Sequence, residues 1–75
     1  MLKGFREAVF RQIRTISIHG QVSWEVYFND AEDPDGSIEM ARVSPESVAT
    51  GLEPGDRIRL EYLVGNVISV TRVDT

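Results

Sequence analysis

Residues 54–73 read Pro54-Gly55-Asp56-Arg57-Ile58-Arg59-Leu60-Glu61-Tyr62-Leu63-Val64-Gly65-Asn66-Val67-Ile68-Ser69-Val70-Thr71-Arg72-Val73. Ile58, Leu60 and Tyr62 alternate with Arg57, Arg59 and Glu61, the period of a half-buried strand. Past Gly65-Asn66 a second alternating run carries Ile68 and Val70. The stretch is therefore a turn, a strand, a tight loop and a strand. A two-residue loop at Gly65-Asn66 would set hydroxyls of Ser69 and Thr71 against Tyr62 and Leu60. A three-residue loop, Val64-Gly65-Asn66, pairs Tyr62 with Ile68 and Leu60 with Val70. Directly opposed residues share a face, so the second register builds a continuous apolar patch and is the expected one. It places Arg72 opposite Ile58, with its charged head at the rim. Arg57 and Arg59 point outward.

Upstream, Glu53-Pro54-Gly55-Asp56 has the residues of a type II turn. Ser44 to Gly51 reads as a short helix: Ser44 as cap, Pro45 in the first helical position, Glu46 near the positive end and Gly51 closing. Ser37–Val43 is a strand, with Ile38 and Met40 expected on one face and Glu39 and Ala41 on the other. Val22, Trp24, Val26 and Phe28 alternate with Ser23, Glu25 and Tyr27, a clear strand after the turn at Gly20. Residues 5–16 admit two readings. Phe5, Val9, Ile13 and Ile16 have helical spacing. The β-branched run from Ile13 to Ile18 and the placement of Phe10 favour a long strand instead. Val9 and Ile13 share one strand parity, Ile16 and Ile18 the other, so a single β-bulge between these pairs is expected.

The order strand, strand, strand, short helix, strand, strand resembles the OB-fold, a small five-stranded barrel. The resemblance covers residues 7–73 and lies in element order alone. It implies that strand one neighbours strand four, and strand four strand five. It also implies that strands two and three carry the ligand face. An SH3-like barrel is the nearest alternative. The expectation is one all-β domain over residues 1–75.

With 75 residues, only about 60% of the unfolded surface can be buried. A large substrate cleft would consume much of so small a core. The chain has no cysteine, so disulfides and thiolate metal sites are excluded, and a reducing, cytoplasmic setting is expected. Neither a signal peptide nor a run of membrane-spanning length is present, so no membrane association is expected. The net charge of −4 is unevenly spread. Acids concentrate between Glu25 and Asp56, while Lys3, Arg6, Arg11 and Arg14 make the N-terminal segment basic.

Asp30–Gly36 suggests a calcium loop. Its EF-hand positions fail, because Ala31 falls at position 1 and Arg42 at position 12, so a solvated acidic loop is expected. His19, the one histidine, sits in a turn without co-ligands, and no metal or cofactor is expected. No nucleophile stands beside a plausible base, and no phosphate-binding glycine pattern occurs, so the chain is read as non-catalytic.

Two binding readings remain. The leading one is a small binding or adaptor module that meets a protein partner, or a copy of itself, through Tyr27, Glu25 and Glu39. The alternative is weak, sequence-tolerant binding of single-stranded nucleic acid along Arg11, Arg14, Arg57 and Arg59.

Overall fold

The computed structural model describes residues 3–73. Five antiparallel strands, β1 (Lys3–Ile18), β2 (Gln21–Asp30), β3 (Glu39–Val43), β4 (Arg57–Leu63) and β5 (Asn66–Arg72), form one sheet ordered β3-β2-β1-β4-β5. A single 3-10 turn, Pro45–Ser47, stands between β3 and β4. The sheet is not closed into a barrel: β3 and β5 are its two edges.

Residues 5–16 are strand, as the β-branched run requires. β1 is the central strand, paired with β4 over its first half and with β2 over its second. It does carry a bulge, but between Phe10 and Gln12, so Arg11 is the extra residue. That position differs from the one expected, and it changes the inward set. Ala8 and Phe10 are buried before the bulge, and Ile13 packs on the core after it. Val9, Ile16 and Ile18 fall on the other face. Val9 and Ile13 therefore end on opposite faces, because the extra residue lies between them, and the bulge expected after Ile13 does not occur.

The β1–β2 connection is the tight turn His19-Gly20, both at positive φ, which matches the twist of the flanking strands. The β4–β5 connection is likewise a two-residue turn, but at Val64-Gly65, with φ of 52° and 83°. Asn66 belongs to β5 and pairs with Leu63. Tyr62 pairs with Val67 rather than Ile68. A one-residue bulge then ejects Ile68, which is 40% exposed, and restores Leu60 opposite Val70 and Ile58 opposite Arg72. Arg72 reaches past Ile58 to the Gly51 carbonyl and to Asp56, 3.2 Å away, at the rim.

Two further expectations change. The Ser44–Gly51 helix shrinks to the 3-10 turn, and the Ser44 side chain makes no cap hydrogen bond. Val48 is extended instead and bridges in parallel to Val70, with the Ala49 amide donating to the Val70 carbonyl at 2.8 Å. A longer helix would forfeit that bridge. In β3 the face assignment inverts. Ala41 and Val43 are buried, while Ile38 and Met40 are exposed. Ala41 lies opposite Val26 and Glu39 opposite Phe28. With those two large side chains filling the interior, a small residue fits the inward site.

The core is one cluster: Ala8, Phe10, Val26, Phe28, Ala41, Val43, Val48, Ile58, Leu60 and Val70. Every strand contributes to it. Trp24 and Tyr62 pack against it from the edges. No helix among the described residues is long and apolar enough to cross a membrane.

Candidate functional site

The outward side of β1, β2 and β3 is organised in cross-strand rows. Gln12, Tyr27 and Met40 form one row; Arg14, Glu25 and Arg42 form the next. Tyr27 and Glu25 are two apart on one strand and so share a face. The Tyr27 hydroxyl donates to Glu25 Oε1 at 2.9 Å. Arg42 donates to Glu25 Oε2 at 3.3 Å. The Tyr27 hydrogen bond, then that of Arg42, hold the Glu25 carboxyl below its ordinary pKa. The result is a fixed acid in one row, with a half-buried aromatic ring, Tyr27, and an exposed thioether, Met40, side by side in the next.

Glu39 does not join this face. It begins β3 on the inward parity, and its carboxylate closes on Arg6 instead. Arg6 shares the parity of Ala8 and Phe10, so the strand aims its guanidinium over the core edge. There it donates bidentately to Glu39, with Nη1 3.1 Å from Oε1 and Nη2 on Oε2. Its Nε donates to Asp30 Oδ2 at 2.9 Å, and its Nη1 lies 3.5 Å from the Tyr62 hydroxyl. The guanidinium also sits 5.6 Å from the centre of the Phe28 ring, within cation–π range. Hydrogen bonding to Glu39, against the cost of partial burial, keeps the Arg6 pKa above its ordinary value. The Asp30 carboxyl is held low by the Glu32 amide and by Arg6.

Arg6 therefore separates two open depressions. One, about 400 Å³, is lined by Arg6, Glu7, Asp30, Ala31, Glu32 and Arg57. The other, about 450 Å³, lies in the seam between the sheet edges, with Phe28, Ala41, Tyr62 and Val67 against it and Glu39, Met40 and Arg42 along its β3 side. Arg6 is the residue that sequence reasoning passed over. Its signal was its parity with Phe10, which only the corrected bulge position makes legible.

The four arginines of the nucleic-acid reading are dispersed. Arg11, ejected by the bulge, donates to Asn29 Oδ1 and, at 2.9 Å, to the Pro34 carbonyl. It thereby ties down the acidic loop. Asn29, buried beneath that loop, donates to the Gly36 and Ser37 carbonyls at 3.0 and 3.1 Å. Arg14 stands opposite Glu25. Arg57 and Arg59 do point outward, but both converge on Glu7, at 3.1 and 3.6 Å. Arg59 also lies 6.0 Å from the centre of the exposed Phe5 ring. In the acidic loop, Asp30 accepts from the Glu32 amide at 2.8 Å. Among the described residues no three acid or histidine groups converge to hold a metal ion.

No family model, curated protein or solved structure matches the chain.

Proposed function

We propose that the protein is a small non-catalytic interaction module that meets another protein through the outward face of β2 and β3. The observation that carries this is Met40. It is 45% exposed, lies beside Tyr27, and belongs to a strand that among the described residues is at the edge of the hydrogen-bonded sheet. Aromatic and methionine side chains are enriched at interfaces, and a sheet edge is a ready partner for another chain. The fixed Glu25–Arg42 pair beside them supplies polar definition.

An OB-like fold accords with this reading. The β1–β4 and β4–β5 pairings are those such a barrel requires, and its ligand face would be on β2 and β3. The nucleic-acid alternative is left with Arg57 and Arg59, which share one carboxylate.

Site-specific photo-crosslinking tests the proposal. A benzophenone amino acid in place of Tyr27 should give discrete protein adducts, identified by mass spectrometry, while the same group in place of Arg57 should give few. Equal adduct formation at the two positions, or none at either, would overturn it.

A further inference from the structure

We infer that the free edge of β1, residues 12–18, pairs antiparallel with the same edge of a second copy of this chain, about a two-fold axis at Ile16. This contact uses a strand edge rather than the Tyr27 face, and it stands independently of the reading above.

The two neighbours of β1 do not follow it equally far. β2 accompanies it to Ile18. On the other side β4 accompanies it only to Val9. The Gly55 amide and the Asp56 carbonyl extend that side to Phe10, at 2.8 Å each. Beyond the bulge, among the described residues, no backbone group pairs with this side of residues 12–18.

The turn fixes which groups are free. In a two-residue hairpin the closing pair, here Ile18 and Gln21, is hydrogen-bonded, and the pattern alternates from there. Ser17, Thr15 and Ile13 therefore turn their amides and carbonyls away from β2. The same alternation, shifted by the bulge, turns those of Phe10 to Gly55 and Asp56, where they are found. Thr15 and Ser17 are exposed in spite of their inward parity, so solvent reaches this edge. Residues 12–18 contain no proline, lysine, bulge or inward charge, the devices that keep sheet edges from pairing. The remaining edges are occupied, since β3 lies against β5 and Val48 bridges to Val70.

The occupant and the register follow from what the edge sets against itself. An axis at Arg14 would oppose two guanidinium groups. An axis at Thr15 would drive the other copy's His19-Gly20 turn against Arg11 and Phe10, where the 53–56 turn already lies. An axis at Ser17 would leave a single hydrogen-bonded pair. An axis at Ile16 avoids all three. It sets Ser17 of each copy opposite Thr15 of the other, and each pair exchanges both main-chain hydrogen bonds. Facing hydroxyls of this kind are a favourable cross-strand combination. On the outward face Ile16 meets its own copy. Ile18, 41% exposed, is covered by Arg14, whose charge Glu25 already offsets across β2. An interface this short lies below the size of a stable dimer, so the pairing is weak and depends on concentration.

The chain has no cysteine, so single introduced thiols report the register. Opposed residues that share no main-chain hydrogen bond have Cα atoms about 4.5 Å apart, within disulfide reach. Ile16→Cys should therefore oxidise to a covalent dimer about tenfold faster than Ile18→Cys, because paired thiols meet at a raised effective concentration. Random collision would favour position 18, the more exposed of the two. Ser17→Pro removes an amide that β2 does not use. Added to Ile16→Cys, it should slow oxidation to the Ile18→Cys rate. In the unsubstituted protein, hydrogen exchange of the Thr15 and Ser17 amides should slow as concentration rises towards about 1 mM. Equal rates at the two positions, or a faster one at position 18, would overturn the proposal. So would exchange at Thr15 and Ser17 that is indifferent to concentration.

Discussion

Arg6 and Glu39, 33 residues apart in sequence, meet in a bidentate ion pair across the open end of the seam. Arg6 comes from the central strand and Glu39 from the first residue of an edge strand. The pair thus ties the start of β3, already laddered to β2 through Phe28 and Glu39, to the central strand as well. Arg6→Ala removes it, leaves Asp30 and Glu39 as neighbouring unpaired carboxylates, and uncovers the Phe28 ring. Both side chains are partly exposed, so solvent screening limits the effect. The expected loss is about 1–2 kcal/mol in urea unfolding. Arg6→Lys should recover little, since an ammonium cannot serve Glu39 and Asp30 with the same planar fork. Full recovery by lysine would show that charge alone matters.

The β4–β5 turn carries a correctable strain. Val64 stands at φ 52°, a region where a β-branched residue is a steric outlier. The turn geometry wants Asn-Gly, and Gly65 already supplies the second residue. Val64→Asn should stabilise the protein by about 1 kcal/mol. It should also leave the Tyr62–Val67 pairing intact, since the turn length is unchanged. Thermal unfolding of the variant beside the parent checks this, and a lowered midpoint would contradict it.

That turn also marks how far the sequence could be read. A three-residue loop, and a two-residue loop followed by a one-residue bulge, leave the strands in the same register beyond the bulge. Leu60 against Val70 and Ile58 against Arg72 were therefore legible from alternation. Whether Ile68 pairs or is ejected was not, because a valine at positive φ is the last residue a turn rule would choose. The inversion of β3 has a different cause. Counting hydrophobicity favours Ile38 and Met40 over Ala41. The interior opposite is already filled by Val26 and Phe28, and steric fit rather than side-chain polarity set the phase. Glu39 followed Ala41 inward and so left the Tyr27 face. Tyr27 and Glu25 needed only the period of β2, the clearest in the chain, and they are brought together. The remaining gap is Arg6. A basic residue on an inward parity can be recognised only once the bulge at Arg11 is known.

The acidic loop has its own keystone. Asn29 is 2% exposed and uses its amide nitrogen on two loop carbonyls and its oxygen on Arg11. Asn29→Ala strands those carbonyls and releases the Arg11 guanidinium from one of its two tethers. The expected cost is about 1–3 kcal/mol, less to the extent that water replaces the amide. Amide hydrogen exchange should accelerate most over residues 31–38. Uniform acceleration across the sheet would instead point to a core defect.

The two depressed carboxyls give the protein a direction of acid sensitivity. Asp30 is held low by the Glu32 amide and by Arg6, and Glu25 by Tyr27 and by Arg42. A carboxyl whose folded pKa lies below its unfolded value stabilises the fold fully above the unfolded value, about 4. That contribution is lost as pH falls from the unfolded value through the folded one, because over that range the unfolded state takes up protons that the folded state still excludes. Urea midpoints should accordingly be flat from pH 7 towards 5 and decline below about pH 4. Asp30→Asn should flatten the decline and lower the neutral-pH midpoint, since the uncharged amide keeps the shape but not the attraction to Arg6. Glu25→Gln should flatten it as well. The double variant should combine the two effects almost additively if the sites act independently, because each carboxyl has its own arginine and its own hydrogen-bond donor. A decline unchanged in both single variants would assign the acid sensitivity to other carboxylates.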